Sequence, residues 1–198
     1  MKKIVFLALL ASLAMVTSCK KENSITNSNS SLDGTYTFKY MTAYTTSTIT
    51  GSLGDSTITD SHYTTTQNGG TIVFSNATMT ISGLTYTIDT IAKYYLYNSS
   101  TLIDSSSFPF TYTVPSFSGS YQYKVVGTDS IYIPQASLGA GISASGVYQS
   151  GGGGAHYKLN GNLLTIIQNI STDSTFTTSG ETFNMLYEGS ESIVLQKQ

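Results

Sequence analysis

The chain has 198 residues and a formal charge of −2, and every one of its nine basic residues is a lysine. Without arginine there is no bidentate clamp for phosphate or carboxylate, so nucleic acid and phosphorylated substrates are poor candidates as partners. A single cysteine rules out a disulfide framework, and two histidines in dissimilar contexts, His62 and His156, argue against zinc. Serine and threonine supply 30 residues each, beside 15 tyrosines and no tryptophan. Strand formers dominate and good helix formers are scarce, so the expected class is all-β.

Taken from the start, Lys2 and Lys3 precede an almost unbroken apolar run over residues 4–16. That is the layout of a secretory signal, too short and wrongly flanked for a membrane span. The run ends in Val16-Thr17-Ser18-Cys19, which resembles the lipobox of bacterial lipoproteins. The resemblance implies a signal peptide over 1–18, cleavage before Cys19, and diacylglycerol and palmitate-type acyl chains on that residue. The bilayer is then the first partner, and Cys19 has no thiol left for catalysis or metal. Lys20 is not the aspartate that holds many lipoproteins at the inner membrane, so the expected location is the outer membrane of the cell envelope, on either face. Residues 19–31 form a lipidated polar tether, and 32–198 a single domain. The mature chain stands near −4, with seven lysines against eleven acids.

The domain opens with Tyr36, Phe38 and Tyr40 in step on one face of a strand, Tyr44 following after a break. Gly51 and Gly54 bracket a turn, and residues 55–66 form a weaker, polar strand. Asn68-Gly69-Gly70 predicts a hairpin turn. Short strands follow on either side of Asn76. Gly83 marks a turn or bulge, and residues 84–97 are one long run. Residues 98–107 read as a loop. Phe108, Phe110, Tyr112 and Val114 then resume the alternation. Two hairpins share the pattern Tyr-Lys-aliphatic-x-Gly, at Tyr123 and Tyr157. Between them residues 135–155, rich in Gly, Ser and Ala, read as a long loop, either a functional cover or disordered. The last strands run over 175–187 and 192–196. About ten strands with regular turn signals predict an antiparallel up-and-down barrel, with a β-sandwich as the alternative.

The chemistry-bearing residues are few. Asp60, Ser61 and His62 are adjacent in a strand, so they face opposite sides and do not build a triad. Residues 151–154 are four glycines without the Lys-Ser/Thr ending of a phosphate loop. No calcium ladder or nucleophile elbow is present, so the reading is non-catalytic, with no metal and no cofactor. Six of the seven aspartates precede Ser or Thr. Four of these sites, at Ser56, Thr90, Ser130 and Ser174, resemble the O-glycan acceptors of some Gram-negative secretion systems.

Gly34-Thr35-Tyr36 resembles the Gly-x-Trp opening of lipocalins, with tyrosine in place of tryptophan. The resemblance implies a lipocalin-like barrel that binds a small uncharged or apolar ligand, or serves as a scaffold. Tyr36, Phe38, Tyr40, Phe108, Phe110 and Tyr112 would line its lumen, with Tyr148 on the loop that covers it. The alternative function is a sandwich module that binds glycan or protein through exposed tyrosines.

Overall fold

Polar and apolar side chains alternating along β-branched and aromatic segments favour extended backbone with one face buried. The protein's computed structural model describes residues 32–134, 140–143, 146–149 and 153–198. Cys19, the signal and the tether lie outside the described residues, as does the side chain of Tyr148. Twelve strands are present and no helix among these residues: β1 (Gly34–Gly51), β2 (Asp55–Thr64), β3 (Thr66–Ser75), β4 (Thr78–Asn98), β5 (Thr101–Gln122), β6 (Lys124–Val126), β7 (Ser130–Ile133), β8 (Ala140–Ser143), β9 (Gly146–Gln149), β10 (Gly153–Asn160), β11 (Leu163–Thr178) and β12 (Glu181–Lys197).

Every ladder is antiparallel, and β12 returns to pair with β1. β2 and β3 lie end to end in one lane between β1 and β4. β2 pairs with the second half of β1, from Thr42↔Thr64 to Thr50↔Ser56, and β3 with the first four residues. The lane is interrupted: the β2–β4 ladder ends at Asp60↔Lys93, and β3–β4 begins at Thr66↔Thr87. Side chains take over in the gap. Thr90 Oγ1 donates to the carbonyl of His62 at 2.7 Å, and Thr65 Oγ1 accepts from the amide of Met41 at 2.9 Å. Four strands thus form a ring around an opening in the sheet. The sheet ends at β5 on one side and β6 on the other, and no ladder joins these two among the described residues. One core nonetheless draws from both halves, Tyr36 and Phe74 from one and Ile131, Tyr157 and Leu164 from the other. This is the all-β antiparallel class that the sequence predicts, and both a barrel and a sandwich are built from such a sheet.

Several local expectations change. Asn68-Gly69-Gly70 is not a hairpin turn but an irregularity inside β3, with register shifts on both sides of Gly69. Gly70 has φ 102°, and a Cβ there would lie 2.6 Å from the Cα of Leu84. The left-handed capacity of glycine is spent on close approach to β4. The turn falls instead at Asn76 and Ala77, both left-handed at φ 50° and 59°. Residues 98–107 are no loop: β5 starts at Thr101 after a turn at Ser99 and Ser100 and runs beside β4. The 135–155 segment carries a hairpin of its own, β8–β9, whose first strand lies beside β1 and β2. The twin hairpins hold: Gly127 and Gly161 both take left-handed turns, and Tyr123 and Tyr157 are both buried.

The register also aligns the long hairpins. Asp55↔Asn98 and Gly51↔Phe183 set the turns at 52–54, 99–100 and 179–180 side by side. Leu32, the first described residue, lies at the opposite end. The 18 residues of β1 separate the two ends by roughly 60 Å.

Candidate binding site on the outer face

The aromatic residues expected to line a lumen do not gather into one site. Tyr36 and Phe38 are buried, and their rings are engaged by neighbours. Tyr36 meets Phe74 edge-on at 5.8 Å, Phe74 meets Tyr123 at 5.4 Å, and Phe38 meets Tyr86 at 5.8 Å. The Tyr36 hydroxyl donates to the Leu32 carbonyl at 3.0 Å. Such interlocked edge-on and tilted ring contacts are core packing. Phe110 packs against this core and Phe108 is half-buried. Tyr40 does not point inward, because a bulge between Phe38 and Tyr40 shifts the alternation and hands the inner face to Met41, Ala43, Thr45 and Ser47. Tyr112 keeps the phase of Phe110 and Val114 and stands opposite buried Ile88, but on the edge strand β5 it stays 38% exposed. Ser56, Thr90, Ser130 and Ser174 are each half-buried within strands rather than in loops. The Thr90 hydroxyl is held by the His62 carbonyl, and that of Ser130 donates to Asp129 at 3.0 Å.

The interior changes character along its length. Met41, Ile193 and Ile166 lie in line across β1, β12 and β11, and the next line inward holds Ala43, Glu191 and Gln168. Glu191 is 1% exposed, and Gln168 Nε2 donates to its Oε2 at 2.6 Å. Burial pushes this carboxyl up to about 7, against a smaller lowering by the Gln168 hydrogen bond. The phenols of Tyr63 and Tyr86 are driven above the tyrosine range, first by burial and then by the neighbouring Glu191. Beyond this line the inner face is hydroxylic, with Thr45 and Ser61 hydrogen-bonded to each other at 2.6 Å.

The outer face of the same strands carries a cleft of about 620 Å³, beside the opening in the sheet. Tyr44 and His62 are directly opposed in the β1–β2 ladder, and their rings stack at 3.9 Å and 10°. Tyr44 is still 57% exposed. One step along, Lys93, Asp60, Thr46 and Glu188 stand in line across β4, β2, β1 and β12. Thr46 Oγ1 donates to Asp60 Oδ1 at 2.8 Å. Tyr95, half-buried, completes the wall. Gly189 lets β1 and β12 approach here, since a Cβ would lie 2.7 Å from the Tyr44 carbonyl oxygen. Ser61 is buried on the other face from His62, so alternation separates them as the sequence predicts. The pairing of Tyr44 with His62 was missed at the sequence level. Its signal lies in the turn at 52–54, since a hairpin centred on residue 53 brings positions 44 and 62 together.

The arrangement offers an aromatic platform flanked by two carboxylates, an ammonium and hydroxyls. Among the described residues no cluster of three or more His, Cys, Asp or Glu side chains is placed to hold a metal. No protein-family model, curated protein or solved structure matches the chain.

Proposed function

We propose that the protein is a lipid-anchored, non-catalytic binding module of the bacterial cell envelope, held at the outer membrane through Cys19, and that it takes a glycan on its outer face. The observation that carries this reading is the cleft around Tyr44 and His62. A sugar ring lays its C–H face on an aromatic ring while its hydroxyls need acceptors and donors around the rim, and Asp60, Glu188, Lys93 and Ser190 supply them. The interlocked aromatics inside favour this over a ligand in the lumen, so the lipocalin-like character contributes a scaffold. The cleft lies on the long hairpins, beyond the tether end, where an anchored molecule presents it to its surroundings. The test is calorimetric titration of the full chain with soluble oligosaccharides of several backbone types. One class should bind, and Tyr44→Ala should weaken it at least about tenfold by removing a stacking contact worth roughly 1 kcal/mol and its buried area. Failure of every oligosaccharide at millimolar concentration, or unchanged binding by Tyr44→Ala, refutes the reading.

A further inference from the structure

A second cleft, of about 460 Å³, lies on the outer face of β6, β7, β10 and β11, away from the Tyr44 platform. Its character is different. Val126, Tyr132 and Ile167 wall it and are 52%, 45% and 46% exposed, and among the described residues no lysine or carboxylate lines it. Gly154 forms part of the floor, directly opposite Tyr132 in the β7–β10 ladder. The backbone does not require glycine there. Its φ lies outside the left-handed region, and an added Cβ would find only the Ile131 carbonyl oxygen, at 4.0 Å. What the glycine provides is the hollow.

One polar group in this cleft has a defined orientation. Ser130 Oγ lies 3.0 Å from Asp129 Oδ1 and 3.0 Å from His156 Nδ1. A hydroxyl has one proton, and the carboxylate accepts it. Nδ1 must therefore be the donor to Ser130, which leaves Nε2 of the neutral imidazole as an acceptor. The same proton order disarms Ser130 as a nucleophile, since its hydrogen points to Asp129 and away from any base on His156.

We infer that this cleft binds a small, neutral, aromatic or polycyclic molecule carrying one hydroxyl or N–H donor, with His156 Nε2 as the group that selects the donor. Apolar walls with no lining lysine or carboxylate among the described residues suit a neutral guest, and the cleft has room for two fused rings. The inference is independent of the glycan site.

The test uses the full chain in detergent, with its two histidines 15N-labelled and assigned through His62→Gln. The probes are 2-naphthol and 2-methoxynaphthalene, which match in shape but differ in the donor. 2-Naphthol should shift the His156 Nε2 resonance saturably and leave His62 unmoved. The methyl ether should need about tenfold more, the worth of one hydrogen bond. Gly154→Val should abolish the shift without lowering the melting temperature, because the Cβ has room and valine suits a strand. Equal binding of the two probes, undiminished binding by Gly154→Val, or no shift at millimolar 2-naphthol overturns the inference.

Discussion

Glu191→Gln offers the sharpest quantitative test of the interior. The carboxyl sits 1% exposed between Ala43 and Gln168, and burial raises it from the ordinary 4.5 to about 7. Between those pH values the folded chain keeps a proton that the unfolded chain has released. Stability is therefore full below pH 4.5, falls as pH rises to about 7, and is level above that. Two and a half units at 1.36 kcal/mol each amount to about 3 kcal/mol lost across the window. Glutamine at 191 stays neutral throughout, and its carbonyl still accepts from Gln168. Glu191 Oε1 has no hydrogen-bond partner among the described residues, so the amide that replaces it also goes unpaired there, but that cost does not vary with pH. The difference between the two chains at pH 8 and at pH 4 thus isolates the ionisation. Urea melts across this range should show the wild type losing about 3 kcal/mol more than the variant. In thermal melts the gap should open by roughly 6–12 °C, at 2–4 °C per kcal/mol for a domain of this size. Parallel stability curves for the two chains would refute the buried-carboxylate account.

Two further expectations concern the ends of the molecule. Ser99 and Ser100 turn the β4–β5 hairpin at φ 46° and 73°, a left-handed pair that costs a non-glycine residue about 1 kcal/mol each, so Ser100→Gly should stabilise the fold by about that much and raise the urea midpoint accordingly. An unchanged or lower midpoint would place the strain elsewhere. At the other end, Cys19→Ala should leave the chain in the soluble fraction or with its signal uncut, since the polar tether alone holds no bilayer. Detergent partitioning like the wild type would end the lipoprotein reading, and an intact wild-type mass equal to chain plus lipid would exclude glycans on Ser56, Thr90, Ser130 and Ser174.

Alternation and composition alone determined the strand class, the inward phase of Tyr36 and Phe38, the turn at 52–54 and the opposite facing of Ser61 and His62, because each depends on a few neighbouring residues. The twin Tyr-Lys hairpins were legible for the same reason: glycine at 127 and 161 meets a local demand for left-handed backbone. What needed a partner strand was not legible. The bulge that turns Tyr40 outward exists only against β12, and Asn68-Gly69-Gly70 becomes an irregularity instead of a turn only because β4 approaches Gly70. Both clefts are built across strands rather than along them, from residues such as Tyr44, Glu188 and Lys93 that lie far apart in the chain. The burial of Glu191 is of the same kind. It stands in an acidic, polar stretch that reads as surface, and only the ladder that sets it between Ala43 and Gln168 removes it from water.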